Sequence, residues 1–288
     1  MSESNLIVVT GATGKLGRHV VNQLLEKVPA NRIVAAVRNP EKAAEFAAKG
    51  VQVRLADYTK PSTLDTAFKG AEKILLISSS EIGQRAVQHQ AVIDAAKRAN
   101  VKLLAYTSIL HADASRIVLA LEHQETETAL KASGIPFVLL RNGWYTENYT
   151  ESLQPVIQHG VLAGSSGTGK IAAAARADYA AAAVTVLTTS GHENKVYELA
   201  GDTSFTKAEL AAEVAKQTGK PVTHKELPLK EYTDLLVSFG LPGVIAGALA
   251  DSDVGIARGE LNDSSGDLRK LIGRPTTPIA KAVSAALS

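Results

Sequence analysis

Cysteine is absent from this chain of 288 residues. Without thiols the protein can form neither disulfide bonds nor a thiol nucleophile, and it cannot hold a metal ion or an iron–sulfur cluster through thiolates. The formal net charge is only +2, because 31 Lys and Arg residues face 29 Asp and Glu residues. So small a charge gives no broad basic surface of the kind that binds nucleic acid or an anionic membrane, and we predict neither as a partner.

Long apolar runs are missing as well. No uncharged apolar segment approaches the roughly 18 residues that span a bilayer, and the polar start Met1–Asn5 predicts no secretory signal peptide. With 45% hydrophobic residues, the chain is long enough to bury a core without support from metals or disulfides. We therefore expect a cytoplasmic α/β protein that uses a cofactor or only binds ligands.

The first half of the chain alternates short, β-branched apolar runs with stretches of helical character. Continuous apolar strands indicate burial on both faces, as in parallel sheets covered by helices. The alternation therefore predicts βαβ units in a Rossmann-type, doubly wound parallel sheet. The predicted strands are Leu6–Thr10, Ile33–Val37, Val51–Leu55, Ile74–Ile77, Leu103–Thr107 and Phe137–Leu140, and the helices between them are Leu16–Lys27, Pro40–Lys49, Pro61–Phe68, Gly83–Ala99 and Ser115–Ala132.

The rhythm changes after about residue 142, where no independent βαβ series continues. We predict two domains: a nucleotide-binding sheet domain of residues 1–142, whose sheet can recruit later strands, and a smaller mixed α/β lobe of residues 143–288 that closes a cleft. The predicted elements of this second part include helix Ala177–Thr188, strand Val196–Leu199, helix Lys207–Gln217 and the strand-like segment Val222–Leu227.

A glycine-rich turn follows the first predicted strand. Gly11 permits a tight turn, Gly14 lets the backbone approach a pyrophosphate, and Gly17 allows helix and strand to pack closely. The N-terminus of the next helix offers free N–H groups to phosphate oxygens. Glycines also cluster in ordinary turns, but the position of this motif on the first strand of a βαβ series favours a dinucleotide site.

The end of the second predicted strand indicates which dinucleotide binds. An NAD site usually has Asp or Glu there, which binds the ribose 2′-hydroxyl, whereas this chain has Arg38. A guanidinium suits a 2′-phosphate and can stack on adenine. We therefore predict NADP(H) rather than NAD(H), with a solvated surface arginine as the alternative.

Polar residues after the next two strands extend this site. Asp57 and Tyr58 follow the third predicted strand and would flank the adenine. Ser78, Ser79 and Ser80 follow the fourth and would line the path to the nicotinamide.

Several segments along the chain carry a family resemblance. They are Thr10–Gly17, Arg38, Ala56–Tyr58, Tyr106–Ser108, Leu140–Tyr145, Arg176–Ala180, Val196–Gly201 and Asp251–Gly255. Together they resemble the NmrA-like branch of the atypical short-chain dehydrogenases/reductases. Within that branch the chain is most similar to the type 2 NAD(P)H:quinone oxidoreductases and the related triphenylmethane reductases, and the resemblance runs nearly end to end. It implies a flavin-free enzyme that binds NADPH and passes its hydride to a quinone.

The same resemblance implies which residues contact the cofactor or border the substrate. Trp144 and Tyr145 would form an apolar wall for a flat substrate, although Trp144 could instead be a core residue. The implied cofactor contacts are Gly11, Ala12, Thr13, Gly14, Lys15, Leu16, Arg38, Ser78–Ser80, Asn142, Gly143, Trp144 and Tyr145, and the substrate contacts are Trp144, Tyr145, Glu147 and Arg176.

One departure from the wider family bears on the mechanism. Ordinary short-chain dehydrogenases use a Tyr-x-x-x-Lys pair, in which Tyr is the acid/base. Aligned on Gly134, this chain has Leu119 in place of the Tyr and His123 in place of the Lys. Quinone reduction tolerates that loss, because a quinone is already a strong electrophile and water can protonate the product. His123 would bind the ribose or donate to a quinone oxygen, or it would be a structural histidine.

Two functions from different classes fit these observations. The leading hypothesis is an NADPH-dependent quinone reductase, and the rival is a non-catalytic NADP(H)-sensing regulator that binds a protein partner. No metal is predicted, because His123 and Glu127 stand four residues apart on one helix without a further ligand. The sequence predicts no oligomeric state.

Overall fold

The computed structural model describes residues 5–288, so most of the polar start on which the absence of a signal peptide was predicted lies outside the described residues. The chain divides into two compact units. The first comprises the residues up to Ile109 together with Glu122–Arg141 and Arg176–Tyr197. The second comprises Leu110–Leu121, Asn142–Ala175 and Glu198–Ser288. The assignment of the cofactor to one domain and of the substrate to the other stays a prediction.

A seven-stranded sheet forms the centre of the first unit, in the order β3-β2-β1-β4-β5-β6-β8. The pairings of β1 with β2 and β4, of β2 with β3, and of β4 with β5 are all parallel. The order 3-2-1-4-5-6 is that of a Rossmann fold, which confirms the predicted class. The strands are β1 (Leu6–Thr10), β2 (Ile33–Val37), β3 (Gln52–Leu55), β4 (Ala71–Leu76), β5 (Leu103–Ile109), β6 (Phe137–Asn142) and β8 (Lys195–Leu199).

Burial on both faces explains why these apolar runs form central strands. Every residue of β1, β2 and β5 is buried, so the side chains of each strand pack on both sides of the sheet. One core joins alternate residues of neighbouring strands, such as Val8, Val34 and Ile74, to apolar residues of the helices that cover that face. The helices of this unit are α1 (Lys15–Leu25), α2 (Ala44–Ala48), α3 (Pro61–Ala67), α4 (Arg85–Arg98), α5 (Val118–Ala132, whose first turn falls in the second unit) and α8 (Arg176–Thr188).

The boundaries of the helices differ from the sequence predictions where tertiary contacts intervene. The helix predicted from Gly83 begins at Arg85, because Gly83 has a φ of +85° and cannot continue a right-handed turn. The helix predicted from Ser115 begins at Val118. The residues before it are bound by the Glu260 carboxylate, which accepts hydrogen bonds from the Ser115 hydroxyl and the next two backbone N–H groups.

The local signals for turns and helix starts are confirmed. Gly50 and Gly134 have positive φ angles of 84° and 77°, as expected of glycines that follow a helix. Pro40 and Pro61 occupy the first helical positions, Pro40 in a short 3₁₀ segment and Pro61 in α3.

The second unit has its own apolar core and a two-stranded parallel sheet of β7 (Val161–Gly164) and β9 (Thr223–Glu226). A buried ion pair between Lys207 and Asp253 lies beside this sheet, and the Asp253 carboxylate also accepts the Ser165 N–H. The helices are α6 (Glu147–Thr150), α7 (Leu153–His159), α9 (Lys207–Thr218), α10 (Leu229–Ser238), α11 (Gly243–Ala257), α12 (Asp267–Ile272) and α13 (Ile279–Leu287).

None of the helices within residues 5–288 is long and apolar enough to cross a membrane.

Candidate active site

The glycine turn after β1 forms a cradle that only glycine permits. Gly11 has a φ of +59°, and its carbonyl accepts the N–H of Gly14 at 2.9 Å. A Cβ atom on Gly17 would lie 2.3 Å from the Gly11 carbonyl oxygen and 2.7 Å from the Cα of Ala12. Helix α1 therefore packs against the turn as closely as its backbone allows, as the sequence predicted for Gly17.

The N-terminus of α1 is suited to bind an anion. Gly14 is its N-cap and supplies no side-chain cap, and the first turn holds no acidic residue. An N-terminus without a side-chain cap presents backbone N–H groups of the kind that bind anions, and the helix dipole favours negative charge there. The turn and the start of α1 contain the predicted cofactor contacts Gly11, Ala12, Thr13, Gly14, Lys15 and Leu16.

Arg38 directly follows β2, and its side chain is 68% exposed. Its Nη1 atom lies 2.7 Å from Oε1 of Glu81, a residue that the sequence did not single out. The second carboxylate oxygen of Glu81 accepts a hydrogen bond from Nε2 of the buried Gln88, also at 2.7 Å. The predicted contact of Arg38 with a 2′-phosphate stays a prediction.

Asp57 and Tyr58 form a turn after β3. The Asp57 carboxylate accepts hydrogen bonds from the side chain and backbone of Thr59, and the side-chain bond is the main cause of the lowered pKa of Asp57. The Tyr58 hydroxyl points inward, 2.5 Å from Thr10 Oγ1 and 2.9 Å from the carbonyl oxygen of Ile77, and burial raises its pKa. Tyr58 thus links the carboxyl ends of β1 and β4, and the predicted contact with adenine stays untested.

The turn Ser78–Ser80 is held in place by side chains from the neighbouring elements. The Ser78 N–H donates to Thr107 Oγ1 at 2.9 Å, and the Ser79 N–H donates to Nε2 of His89 at the same distance. Arg85 Nε donates to the Ser79 carbonyl at 2.6 Å. Residues of α4 therefore bind both the backbone N–H and the backbone carbonyl of Ser79.

His89 is fully buried, and its hydrogen bonds define its tautomer. Since Nε2 accepts from Ser79, the proton lies on Nδ1 and is donated to Thr126 Oγ1 at 2.9 Å. Thr126 in turn donates to the Glu122 carbonyl. Burial, reinforced by the charge of Arg85, lowers the pKa of His89 to about 3. His89 is therefore neutral at physiological pH and acts as a fixed acceptor.

His123 lies in the interior of the first unit. Its Nδ1 is 2.6 Å from the hydroxyl of the buried Tyr106. Burial lowers the pKa of His123 well below its usual value, and the charge of Arg85 acts in the same direction. A neutral, buried imidazole bound to Tyr106 favours the structural alternative, while the predicted contact with ribose or quinone stays untested.

Glu127, which stands four residues after His123 on α5, has a different partner. Its carboxylate forms a two-point contact with the Arg141 guanidinium, at 2.9 and 2.7 Å, and accepts the Ser108 hydroxyl at 2.7 Å. All three residues are buried. Within residues 5–288, no group of three or more His, Asp or Glu side chains is placed to hold a metal ion.

The predicted residues from Asn142, the last residue of β6, onward belong to the second unit, except Arg176, which is the buried first residue of α8 in the first unit. Asn142 donates from Nδ2 to the Tyr145 hydroxyl at 3.3 Å, and its buried Oδ1 has no hydrogen-bond partner among the described residues. The Gly143 N–H donates to the Leu199 carbonyl at 2.7 Å, and Trp144 packs against the core of the unit. Glu147 begins α6. Whether these residues contact cofactor or substrate stays a prediction.

Glu81, Arg85 and His89 are polar residues of the predicted site that sequence reasoning missed. Glu81 carries the opposite charge to Arg38, and Arg85 and His89 are four residues apart, so both project from one face of α4. That spacing was the available signal, but it is also typical of a solvated helix face.

The comparisons with known proteins agree with this geometry. A profile of the NAD(P)H-binding family matches residues 11–190, which include the glycine turn, Arg38 and the Ser78–Ser80 turn. The chain belongs to the NAD(P)H-binding family. Over 279 residues, 97% of this chain and 98% of the relative, it is 56% identical to quinone oxidoreductase 2 of Escherichia coli.

Solved structures of family members extend the likeness to the whole fold. The structure of an E. coli NADPH-dependent quinone oxidoreductase complexed with NADPH superposes with a TM-score of 0.96 at 55% identity, covering 98% of this chain and 100% of the other. A Citrobacter triphenylmethane reductase gives a TM-score of 0.93 at 41% identity, covering 98% and 99%. The family resemblance stated from the sequence is therefore confirmed.

Proposed function

We propose that this protein is an NADPH-dependent quinone reductase that works without a flavin or a metal. The observation that carries the proposal is the nearly full-length likeness, in sequence and in fold, to an enzyme of that activity. A cytoplasmic location, predicted from composition, is part of the proposal.

The residues present fit a dinucleotide phosphate. The Gly17 position leaves no room for a Cβ, and the uncapped N-terminus of α1 supplies N–H donors for a pyrophosphate. Arg38 supplies the positive charge for the 2′-phosphate. NADPH, when bound, supplies the hydride, and the protein contributes binding, orientation and exclusion of water.

The proton that completes the hydroquinone comes from water. Net transfer of a hydride to a quinone oxygen would give the aromatic hydroquinone monoanion, and one proton from solvent would then give the neutral product. The Tyr-x-x-x-Lys pair is absent, and His123 is neutral, buried and engaged with Tyr106. This chain therefore needs no side-chain acid, and positioning can account for much of the rate, since proximity alone can be worth about 7–11 kcal/mol.

The acceptor is a flat electrophile. We assign Trp144 and Tyr145 as its stacking wall, with Glu147 and Arg176 at its border. Because these roles rest on family resemblance, the test must vary the acceptor as well as the residues.

The deciding experiment follows NADPH oxidation by its near-ultraviolet absorbance, with and without a small benzoquinone. We expect saturable, quinone-dependent turnover by protein purified without flavin, in buffer with a chelator. Tight NADPH binding without turnover across a panel of quinones would contradict the proposal and point to a nucleotide-sensing protein instead.

A further inference from the structure

The ion pair between Arg38 and Glu81 crosses the predicted nucleotide site. Arg38 directly follows β2, and Glu81 lies a short turn after β4. Strand β1 lies between β2 and β4 in the sheet. Because the carboxyl ends of parallel strands share one edge, a contact between residues after β2 and β4 spans the end of β1, where the glycine turn begins.

Glu81 forms two hydrogen bonds in addition to its ion pair with Arg38. Its Oε2 atom accepts a hydrogen bond from Gln88 at 2.7 Å, and its backbone N–H donates to Ser79 Oγ at 3.2 Å. Arg38, by contrast, holds Glu81 through Nη1 alone and is 68% exposed. Arg38 is the more exposed partner, since the Glu81 side chain is 42% exposed and has a second hydrogen-bond partner in Gln88.

A ligand phosphate and the Glu81 carboxylate would both bind the Arg38 guanidinium. A guanidinium that binds a phosphate group at two points must give up, or share, its contact with a carboxylate. The carboxylate would then stand near a phosphate of the same sign, which costs energy that a 2′-hydroxyl would not incur.

We propose that Glu81 is a specificity-determining residue that lowers the preference for NADPH over NADH by competing with the 2′-phosphate for Arg38. This proposal rests on the assignment of the 2′-phosphate to Arg38 in the proposed function. It adds that the selectivity of the site is set by a pair of residues, one after β2 and one after β4.

The test is the binding of NADPH and NADH, each titrated by nicotinamide fluorescence in the absence of quinone. For Glu81→Gln we expect NADPH to bind about threefold to tenfold more tightly, which is the range for loss of one exposed ion pair and one like-charge contact. NADH affinity should change by less than about twofold, because the ion pair does not compete with a neutral hydroxyl. The matched control is Glu72→Gln, which removes the same charge at the opposite end of β4. There Oε1 of Glu72 lies 3.7 Å from Nζ of Lys102. This control should leave both affinities unchanged.

A double-mutant cycle separates competition from a general field effect. In an Arg38→Ala background, Glu81→Gln should tighten NADPH selectively by less than it does when Arg38 is present, because the competition acts through the guanidinium and only the like-charge contact remains. Weaker NADPH binding by Glu81→Gln, or equal tightening of both nucleotides, would overturn the proposal. If the selectivity changes as expected but no quinone is reduced, the proposed function fails and the role of Glu81 stands.

Discussion

Replacing Gly17 with Ala tests the packing of the nucleotide turn. The added Cβ would lie 2.3 Å from the Gly11 carbonyl oxygen, 2.7 Å from Ala12 Cα and 3.0 Å from Ala12 carbonyl carbon. All three are backbone atoms, so no side chain can rotate away and the turn itself must move. Such overpacking typically costs about 1–3 kcal/mol. Ala in a helix recovers up to about 1 kcal/mol relative to Gly. With that recovery subtracted in full, we expect a net loss of up to about 2 kcal/mol in the free energy of unfolding.

Nucleotide affinity should fall as well as stability. The displaced atoms belong to Gly11 and Ala12, which form the turn that approaches the pyrophosphate, so we expect NADPH binding to weaken more than about tenfold, or 1.4 kcal/mol. Urea unfolding and NADPH titration measure the two effects separately. The control is Gly247→Ala in α11, where nothing lies within 4 Å of an added Cβ. That variant should be neutral or slightly stabilised, and both variants behaving alike would refute the reasoning.

Three further predictions concern charge. Arg38→Ala should weaken NADPH more than NADH, by about 1.5–3 kcal/mol in binding free energy if the guanidinium makes a charge-assisted bond to the 2′-phosphate, and equal losses in the two titrations would remove that assignment. The pKa of His89 is lowered to about 3 in the folded protein. The His89 imidazole binds a proton below about pH 6.5 in the unfolded chain but not in the folded protein. The free energy of unfolding should therefore fall with decreasing pH between about 6.5 and 3, by up to about 1.4 kcal/mol per pH unit. Urea unfolding at pH 7 and 5 should show a smaller loss for His89→Gln, whose side-chain oxygen can still accept the Ser79 N–H, and an unchanged loss would mean that other groups titrate. Lys207→Met leaves the buried Asp253 carboxylate without its cation and should cost about 3–5 kcal/mol in urea unfolding, whereas the double variant with Asp253→Leu should recover part of that loss.

Local patterns in the sequence were sufficient to predict most elements of the first unit. The strands β1 and β2 were predicted residue for residue, because their apolar runs, such as Leu6–Val9, are continuous and are followed by polar residues or Gly. We could assign separate roles to Gly11, Gly14 and Gly17, because the steric reason for glycine at each position involves only residues a few positions away in the chain. The family resemblance rested on the same short-range information.

Contacts between residues distant in sequence could not be predicted in this way. The partner of Arg38 is 43 residues away, and the Ser79 peptide depends on His89, whose burial follows from packing against β5 and α5. Burial also lowers the pKa of His123. The helical pattern around His123 fits a ligand-binding residue and a core residue equally well, so the sequence alone could not distinguish the two.

By itself, the sequence determined a cysteine-free protein with a parallel sheet, a glycine turn for a dinucleotide, and an arginine where an NAD site would have a carboxylate. These features depend on residue type and on spacing along the chain, which local sterics and periodicity control. Only the tertiary structure decided that Glu81 faces Arg38, that the Ser78–Ser80 turn is clamped by α4, and that Glu127 pairs with Arg141 rather than with solvent. Those outcomes depend on which strands become neighbours and on how far water is excluded between them, and both are properties of the assembled sheet.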